Sequence, residues 1–325
     1  MLSDPIKLFA PLGEITRLLV AVSGGPDSMA LLHLARDWRE AGGPDIIAAT
    51  VDHALRPEAR DEAEQVAQWC ATLSLPHAIL TWQGEKPASR LQERARQARY
   101  DLLLAHARES GADLIATAHH ADDQAETILF RLLRGSGIAG LAGMELVTLR
   151  DGMRLARPLL SWTKAELVDL CQSRGQAFIR DPSNDDPRFA RTHLRALMSD
   201  LERDGLDRAA LLRLGRRAGR MAMLAERALT DLRASLPGPE AGRWVVSFRH
   251  LQTQPEEVWL RLLGEEIARI GRVPAVRLEQ LEALCEALQG ALRAGEAYRS
   301  TLGGVLVSLD KRGDLSLAPE GPRRA

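Results

Sequence analysis

Two short stretches carry residue types that could do chemistry. The first is Ser23-Gly24-Gly25-Pro26-Asp27-Ser28, set between the apolar run 17–22 and the helix-type run 29–34. Strand, glycine turn and helix start, in that order, build an anion site in α/β proteins. Glycine at 24 and 25 lets the backbone take positive φ and approach a ligand, while Ser23 and Ser28 add hydroxyl donors. The first N–H groups of the helix point into the turn unpaired, and the helix dipole favours negative charge there. A phosphate or pyrophosphate cradle is expected. No Gly-Lys-Ser/Thr follows, so there is no lysine for β- and γ-phosphates. Asp27 stands in the turn instead. A carboxylate beside phosphates needs a bridging cation, so Asp27 implies Mg2+.

The second stretch is His119-His120-Ala121-Asp122-Asp123-Gln124-Ala125-Glu126-Thr127, between a strand at 112–118 and a helix marked by Ile128, Leu129, Leu132 and Leu133. Asp123 and Glu126 are three apart, hence on one helix face. Acids near a helix N-terminus can serve its dipole alone. Two histidines and three acids at a strand end, in a sheet that already carries a phosphate loop, exceed that need. An acidic patch beside activated phosphate can hold an ammonium group and take its proton when the amine attacks. A zinc site is disfavoured because no cysteine is near.

The surrounding elements must bring these stretches together. Strands are expected at 17–22, 46–51, 76–82 and 112–118, alternating with helices, which predicts a doubly wound, mostly parallel α/β sheet. In such a sheet ligands lie past the carboxyl ends of strands. Asp52, His53 and Arg56 therefore land beside the first loop, with His53 placed to flank a nucleotide base or phosphate. Ser89 is read as the cap of a helix to 109, whose outer face carries Arg90, Arg94, Arg96 and Arg99. Those arginines suit either phosphate contact or plain solvation. The glycine-rich 135–143 reads as a lid, an RNA-contact loop or a simple connection. Thr163 caps another helix, and 178–180 reads as a short strand.

Beyond 188 the pattern turns helical at 189–201 and 206–235. After Pro237-Gly238-Pro239 come a strand at 244–248, helices at 256–270 and 275–289, and a hairpin pair over 299–317 around Asp310-Lys311-Arg312-Gly313. The expected division is a catalytic domain over 1–200, a helical linker over 201–235 and a small α+β domain over 236–325.

At 325 residues the chain has room for two domains. A net charge of −1 does not advertise a nucleic-acid binder, but nine arginines against four acids between 188 and 220 suit phosphate contacts locally. Cys70, Cys171 and Cys285 are isolated, with no Cys-x-x-Cys, so a zinc knuckle or redox pair is not expected. No apolar run reaches the ~20 residues that span a bilayer. The first residues lack a signal layout, and cytoplasmic residence is the expectation.

Ser-Gly-Gly-x-Asp-Ser resembles the signature of the PP-loop ATP pyrophosphatases, which split ATP between the α and β phosphates. The His-His block, Asp52-His53-Ala54-Leu55-Arg56, Arg131-Leu132-Leu133-Arg134-Gly135-Ser136-Gly137, Gly140-Leu141-Ala142-Gly143-Met144 and Arg157-Pro158-Leu159-Leu160 resemble the tRNA(Ile)-lysidine synthetase family within that superfamily. So do Asp181-Pro182-Ser183-Asn184-Asp185 and Arg191-Thr192-His193-Leu194-Arg195, although the family usually has Asn at the place of Thr192. The resemblance covers roughly residues 17–200 and implies an adenine nucleotide alpha hydrolase-like fold. It also implies a reaction. ATP adenylates the C2 oxygen of the first anticodon cytidine of tRNA(Ile) (CAU), pyrophosphate leaves, and the ε-amine of free lysine displaces AMP. Ser23, Gly24, Gly25, Pro26, Asp27 and Ser28 would hold ATP and Mg2+, with His53 nearby. Asp123 and Glu126 would receive the lysine ammonium, with Asp122 in the same substrate site, Asp27, Asp123 and Glu126 being the catalytic set. Asn184, Arg191 and Arg195 would complete the substrate site, and the C-terminal part would grasp tRNA. No membrane or protein partner is implied. The alternatives are another PP-loop tRNA-modifying enzyme such as a thiolase, which the isolated cysteines disfavour, an amidotransferase-type synthetase, and a non-catalytic RNA binder with a nucleotide switch.

Overall fold

The computed structural model describes residues 4–84, 86–87, 89–179, 190–240 and 242–321, with backbone alone for 190–193, 195–196 and 199. Its described residues form two compact units, Met1–Arg131 with Gly143–Arg213, and Leu132–Ala142 with Leu214–Ala325. The chain runs α1 (Pro5–Phe9), β1 (Arg17–Ala21), α2 (Pro26–Glu40), β2 (Asp45–Asp52), α3 (Glu58–Thr72), β3 (His77–Thr81), α4 (Leu91–Glu109), β4 (Leu114–Ala116), α5 (Ala121–Leu133), α6 (Ile138–Leu141), β5 (Val147–Arg150), β6 (Met153–Ala156), α7 (Lys164–Ser173), α8 (Ala190–Arg203) and α9 (Arg208–Ser235). The division between units falls inside α9.

The first unit is built on β1. Leu18 and Val20 point into one apolar core, Leu19 into another, and all three are fully buried. A strand covered on both faces reads as an unbroken apolar run. The sheet order is β3-β2-β1-β4-β6-β5, parallel throughout except for the edge strand β5. This is the doubly wound, mostly parallel sheet. Strand β1 bonds β2 on one side and β4 on the other, so the connections reverse direction there. That reversal opens a crevice past the carboxyl ends of β1 and β4. Both chemistry-bearing stretches leave the sheet at those two ends.

The second unit continues with β7 (Trp244–Ser247), α10 (Phe248–Leu251), α11 (Glu256–Gly271), α12 (Leu278–Ala294), β8 (Tyr298–Leu302), β9 (Val305–Leu309) and β10 (Asp314–Pro319). Its antiparallel sheet has the order β7-β10-β9-β8. Val305, Val307 and Leu309 alternate inward on β9 and pack with Phe248, Trp259 and Leu288 in one core.

The structure corrects four local expectations. Ser89 does not cap α4; Arg90 is the N-cap, at φ +53°, without a side-chain bond. Phe178 and Ile179 are not a strand, and Arg180 lies outside the described residues. Residues 299–317 contribute three strands rather than one hairpin, because Gly303 and Gly304 (φ +57° and +76°) make an extra tight turn. Gly25 has φ −71°, so Gly24, at φ +84°, alone uses the left-handed region in this loop.

Gly24 is also crowded. A Cβ there would meet Ile179 Cδ1 at 2.5 Å and Val66 Cγ2 at 2.9 Å, while Ile179 N–H donates to the Gly24 carbonyl at 2.9 Å. At Gly25 a Cβ would meet nothing closer than Ser23 Oγ at 3.7 Å. Left-handed strain costs about 1–2 kcal/mol and overpacking about 1–3. Gly24→Ala therefore lowers Tm by several degrees in thermal unfolding, whereas Gly25→Ala leaves Tm near wild type. Equal shifts would remove the crowding argument.

Candidate active site

The turn after β1 is stitched by its serines. Ser28 Oγ accepts from Ser23 N–H at 3.1 Å, donates to the Gly25 carbonyl at 3.0 Å and lies 3.2 Å from Ser23 Oγ. Pro26 occupies the first turn of α2, where a missing N–H costs nothing. The Cys171 thiol donates to the Pro26 carbonyl at 3.3 Å, so α7 braces the loop from behind. Asp27 follows in the first turn, and its Oδ1 is buried with no hydrogen-bond partner. Leaving a buried acceptor unmet costs about 1–3 kcal/mol. A cation would meet it. Mg2+ typically takes one or two carboxylates together with substrate phosphates rather than an all-protein cage. Among the described residues no such cage is found. The donor set fits Mg2+ shared with a phosphate.

The other carboxylate oxygen of Asp27 faces the second stretch. His120, 4% exposed, sets its Nε2 3.6 Å from Asp27 Oδ2 and 3.5 Å from Asp123 Oδ2. Its Nδ1 lies 3.3 Å from Asp122 Oδ2. Burial alone would lower the His120 pKa. The carboxylates of Asp122, Asp27 and Asp123 outweigh burial and push it up to about 9. Nδ1 also lies 3.2 Å from the Asp122 N–H, a donor that suits the neutral ring, so each protonation state finds a partner.

Asp122 is fully engaged. Arg208 donates to its Oδ1, and Lys164 N–H donates to its Oδ2 at 2.9 Å. Burial opposes ionisation, but His120, the Lys164 N–H and Arg208 hold its carboxyl below the usual range. Asp122 is thus tied to α7 and to Arg208 as well as to His120. Asp123 Oδ2 accepts from His120 N–H at 3.1 Å, fixing the start of α5, and Glu126 is buried one turn on. Gln124 clasps Met144 in both directions, at 2.9 and 2.7 Å, and Arg131 donates to the Gly143 carbonyl at 2.7 Å. The end of the glycine-rich segment is therefore tied to α5.

His53 sits just past β2, edge-on to Trp82, and its Nε2 accepts from Arg99 at 3.3 Å. Burial, then the Arg99 charge, lowers its pKa to about 4, so it is neutral at pH 7. Asn184 lies outside the described residues, and Arg191 and Arg195 are placed only as helical positions of α8. Sequence reasoning missed Arg208 and Cys171, whose contacts depend on packing between distant segments.

Residues 5–201 match the PP-loop domain family, so the first unit is a PP-loop domain. Over nearly its whole length the chain is similar to proteins named tRNA(Ile)-lysidine synthase. It is 48% identical to that of Bradyrhizobium sp. (strain BTAi1), over 98% of this chain and 94% of that protein. It is 49% identical to that of Methylobacterium nodulans, over 96% and 93%. The chain belongs to the tRNA(Ile)-lysidine synthase family. In fold it is similar to the U34-tRNA thiolase NcsA from Methanococcus maripaludis (TM-score 0.55, 17% identity, 66% of this chain and 78% of that chain).

The His120 pKa makes a checkable sign. Folding raises it from 6.5 to about 9, so its stabilising contribution is complete below pH 6.5 and fades as pH rises through 9. In ring-proton NMR of the unliganded protein, His120 titrates near pH 9. Asp122→Asn brings that midpoint down, and an unmoved midpoint would detach Asp122 from the ring.

Proposed function

We propose that this chain makes lysidine in tRNA(Ile) with a CAU anticodon, in the cytoplasm, using ATP and free lysine. The observation that carries the reading is one shared imidazole. His120 Nε2 lies within 3.6 Å of a carboxylate from the glycine loop (Asp27) and of one from the acidic helix start (Asp123). A seat for phosphate and a seat for an ammonium group are thereby joined at one strand boundary.

In the first step the cytidine C2 oxygen attacks the α-phosphorus of ATP. The bond from that phosphorus to the oxygen bridging to the β-phosphorus breaks, and pyrophosphate leaves. Ser23, Gly24, Gly25 and Ser28 give the phosphates backbone N–H and hydroxyl donors, while Pro26, which has no N–H to give, fixes the start of α2 beside them. Mg2+, held by Asp27, would supply charge neutralisation. In the second step the lysine ε-nitrogen attacks C2, the C2–oxygen bond breaks, AMP leaves, and the amine gives up its protons. Asp123 and Glu126 hold the ammonium form, and Asp122 positions His120 beside them. His53 lines the nucleotide side. Asn184, Arg191 and Arg195 are assigned to the tRNA-side site by resemblance, and the second unit is assigned to tRNA contact on the same ground.

A thiolase reading finds no support in the cysteines. Cys70, Cys171 and Cys285 are buried, and burial pushes their thiols up to about 12, 11 and 12, far from ready thiolates.

Pyrophosphate release from ATP should require both lysine and unmodified tRNA(Ile) (CAU). Asp27→Ala abolishes adenylation while tRNA binding stays near wild type; a variant that still turns over would sink the cation role. Asp123→Ala raises the KM for lysine by tenfold or more, as expected for losing a charged hydrogen bond of about 1.5–3 kcal/mol, with KM for ATP little changed. An unaltered lysine KM would take Asp123 out of the amine seat.

A further inference from the structure

Several guanidinium groups of the first unit are paired: Arg17, Arg36, Arg56, Arg60, Arg174 and Arg208 each lie against a carboxylate. Others are not. On the first half of α4, Arg94 and Arg96 are exposed, and across from them Arg150 ends β5. Among the described residues none of these three pairs with a carboxylate. Arg96 and Arg150 both lie over the buried Tyr100 ring, at 5.3 and 4.1 Å from its centre, and Arg150 donates to Gln97 at 2.7 Å. The nearby acids do not answer them: among the described residues Glu93 makes no ion pair, and Asp101 accepts from Gln97 at 2.7 Å. Arg157, at the carboxyl end of β6, spends its guanidinium on the Glu145 carbonyl and the Thr148 hydroxyl, at 2.9 and 3.2 Å. Burial lowers its pKa, and the charges of Arg96 and Arg131 add to the lowering while Tyr100 and Glu145 oppose it.

Stacking on a ring fixes a guanidinium plane and leaves its N–H fork open, a geometry that matches phosphate. Helix α4 begins past the carboxyl end of β3, and its Arg99 reaches His53 at the end of β2.

We propose that Arg94, Arg96 and Arg150 form a seat for the phosphate backbone of the RNA substrate. This rests on the tRNA reading above and extends it to a surface that the reaction itself does not require. The arginines contact phosphate and not bases, so their contribution is independent of sequence and falls with salt.

The test uses the full chain and an unmodified tRNA(Ile) (CAU) transcript, with affinity measured across a salt series. In R94Q/R96Q/R150Q the slope of log affinity against log salt becomes shallower by roughly 2 to 3, at ~0.7–0.9 per phosphate contact. Affinity at low salt drops at least tenfold, and MgATP affinity is unchanged. In R94K/R96K/R150K much of the slope returns, because a point charge suffices for counterion release. A wild-type slope and affinity in the glutamine variant overturns the seat. Loss of MgATP affinity alongside tRNA affinity also overturns it, by showing that the face acts through the fold. If the wild-type chain binds tRNA with the arginine-dependent slope but forms no lysidine, the seat stands and the assigned reaction falls. If lysidine forms and the slope is indifferent to the arginines, the reaction stands and the seat falls.

Discussion

A buried imidazole among three carboxylates is the constraint on which the site depends. His120 is nearly inaccessible to water, yet carboxylates of Asp27, Asp122 and Asp123 all lie within 3.6 Å of it. Three negative groups that close would repel strongly in a poorly solvated crevice. A positive ring among them converts repulsion into cohesion, which is why its proton is held so tightly. The same arithmetic gives the site its response to ligands. A divalent cation on Asp27, or an ammonium on Asp123, would compete with the imidazolium for the same oxygens.

The scaffold makes that convergence available at low cost. Strand β1 pairs with both β2 and β4, so the loops after β1 and β4 leave the sheet side by side. Behind them, α7 and the segment after it act as a brace. Cys171 holds the Pro26 carbonyl, and Ile179 closes over Gly24 with both its side chain and its N–H. The Arg208 guanidinium, at the start of α9, reaches back to Asp122. Each brace comes from a segment far along the chain, so the loop is rigid only once the whole first unit has folded.

That dependence explains what could be read from the sequence. Strands β1, β2 and β4 were legible because they are largely buried on both faces, which writes a continuous apolar run, while the half-buried edge strand β3 still carries Ala78, Ile79 and Leu80. The two chemical stretches were legible because their residue types are costly unless used. The partners of Asp122, Arg208 and the Lys164 N–H, were not legible because they are set by tertiary packing. The β5–β6 hairpin was missed because its side chains are half-buried and mixed in polarity. The expected strand at 178–180 was an apolar pair whose burial comes from covering a glycine rather than from joining a sheet. Gly24 and Gly25 are identical letters with different backbone demands, and spacing alone does not separate them.

Net charge misleads for a related reason. A total of −1 suggests an indifferent surface. Charges are nonetheless sorted by whether a partner lies within reach after folding. An exposed ion pair contributes about 0–1 kcal/mol, so leaving arginines unpaired forfeits little stability. Holding two guanidinium groups over one tyrosine ring is a different matter, since like charges are brought together with no carboxylate between them. An arrangement that is mildly unfavourable in isolation becomes favourable when a polyanion covers it. Stability therefore does not account for the α4 arginines, whereas the proposed phosphate seat would.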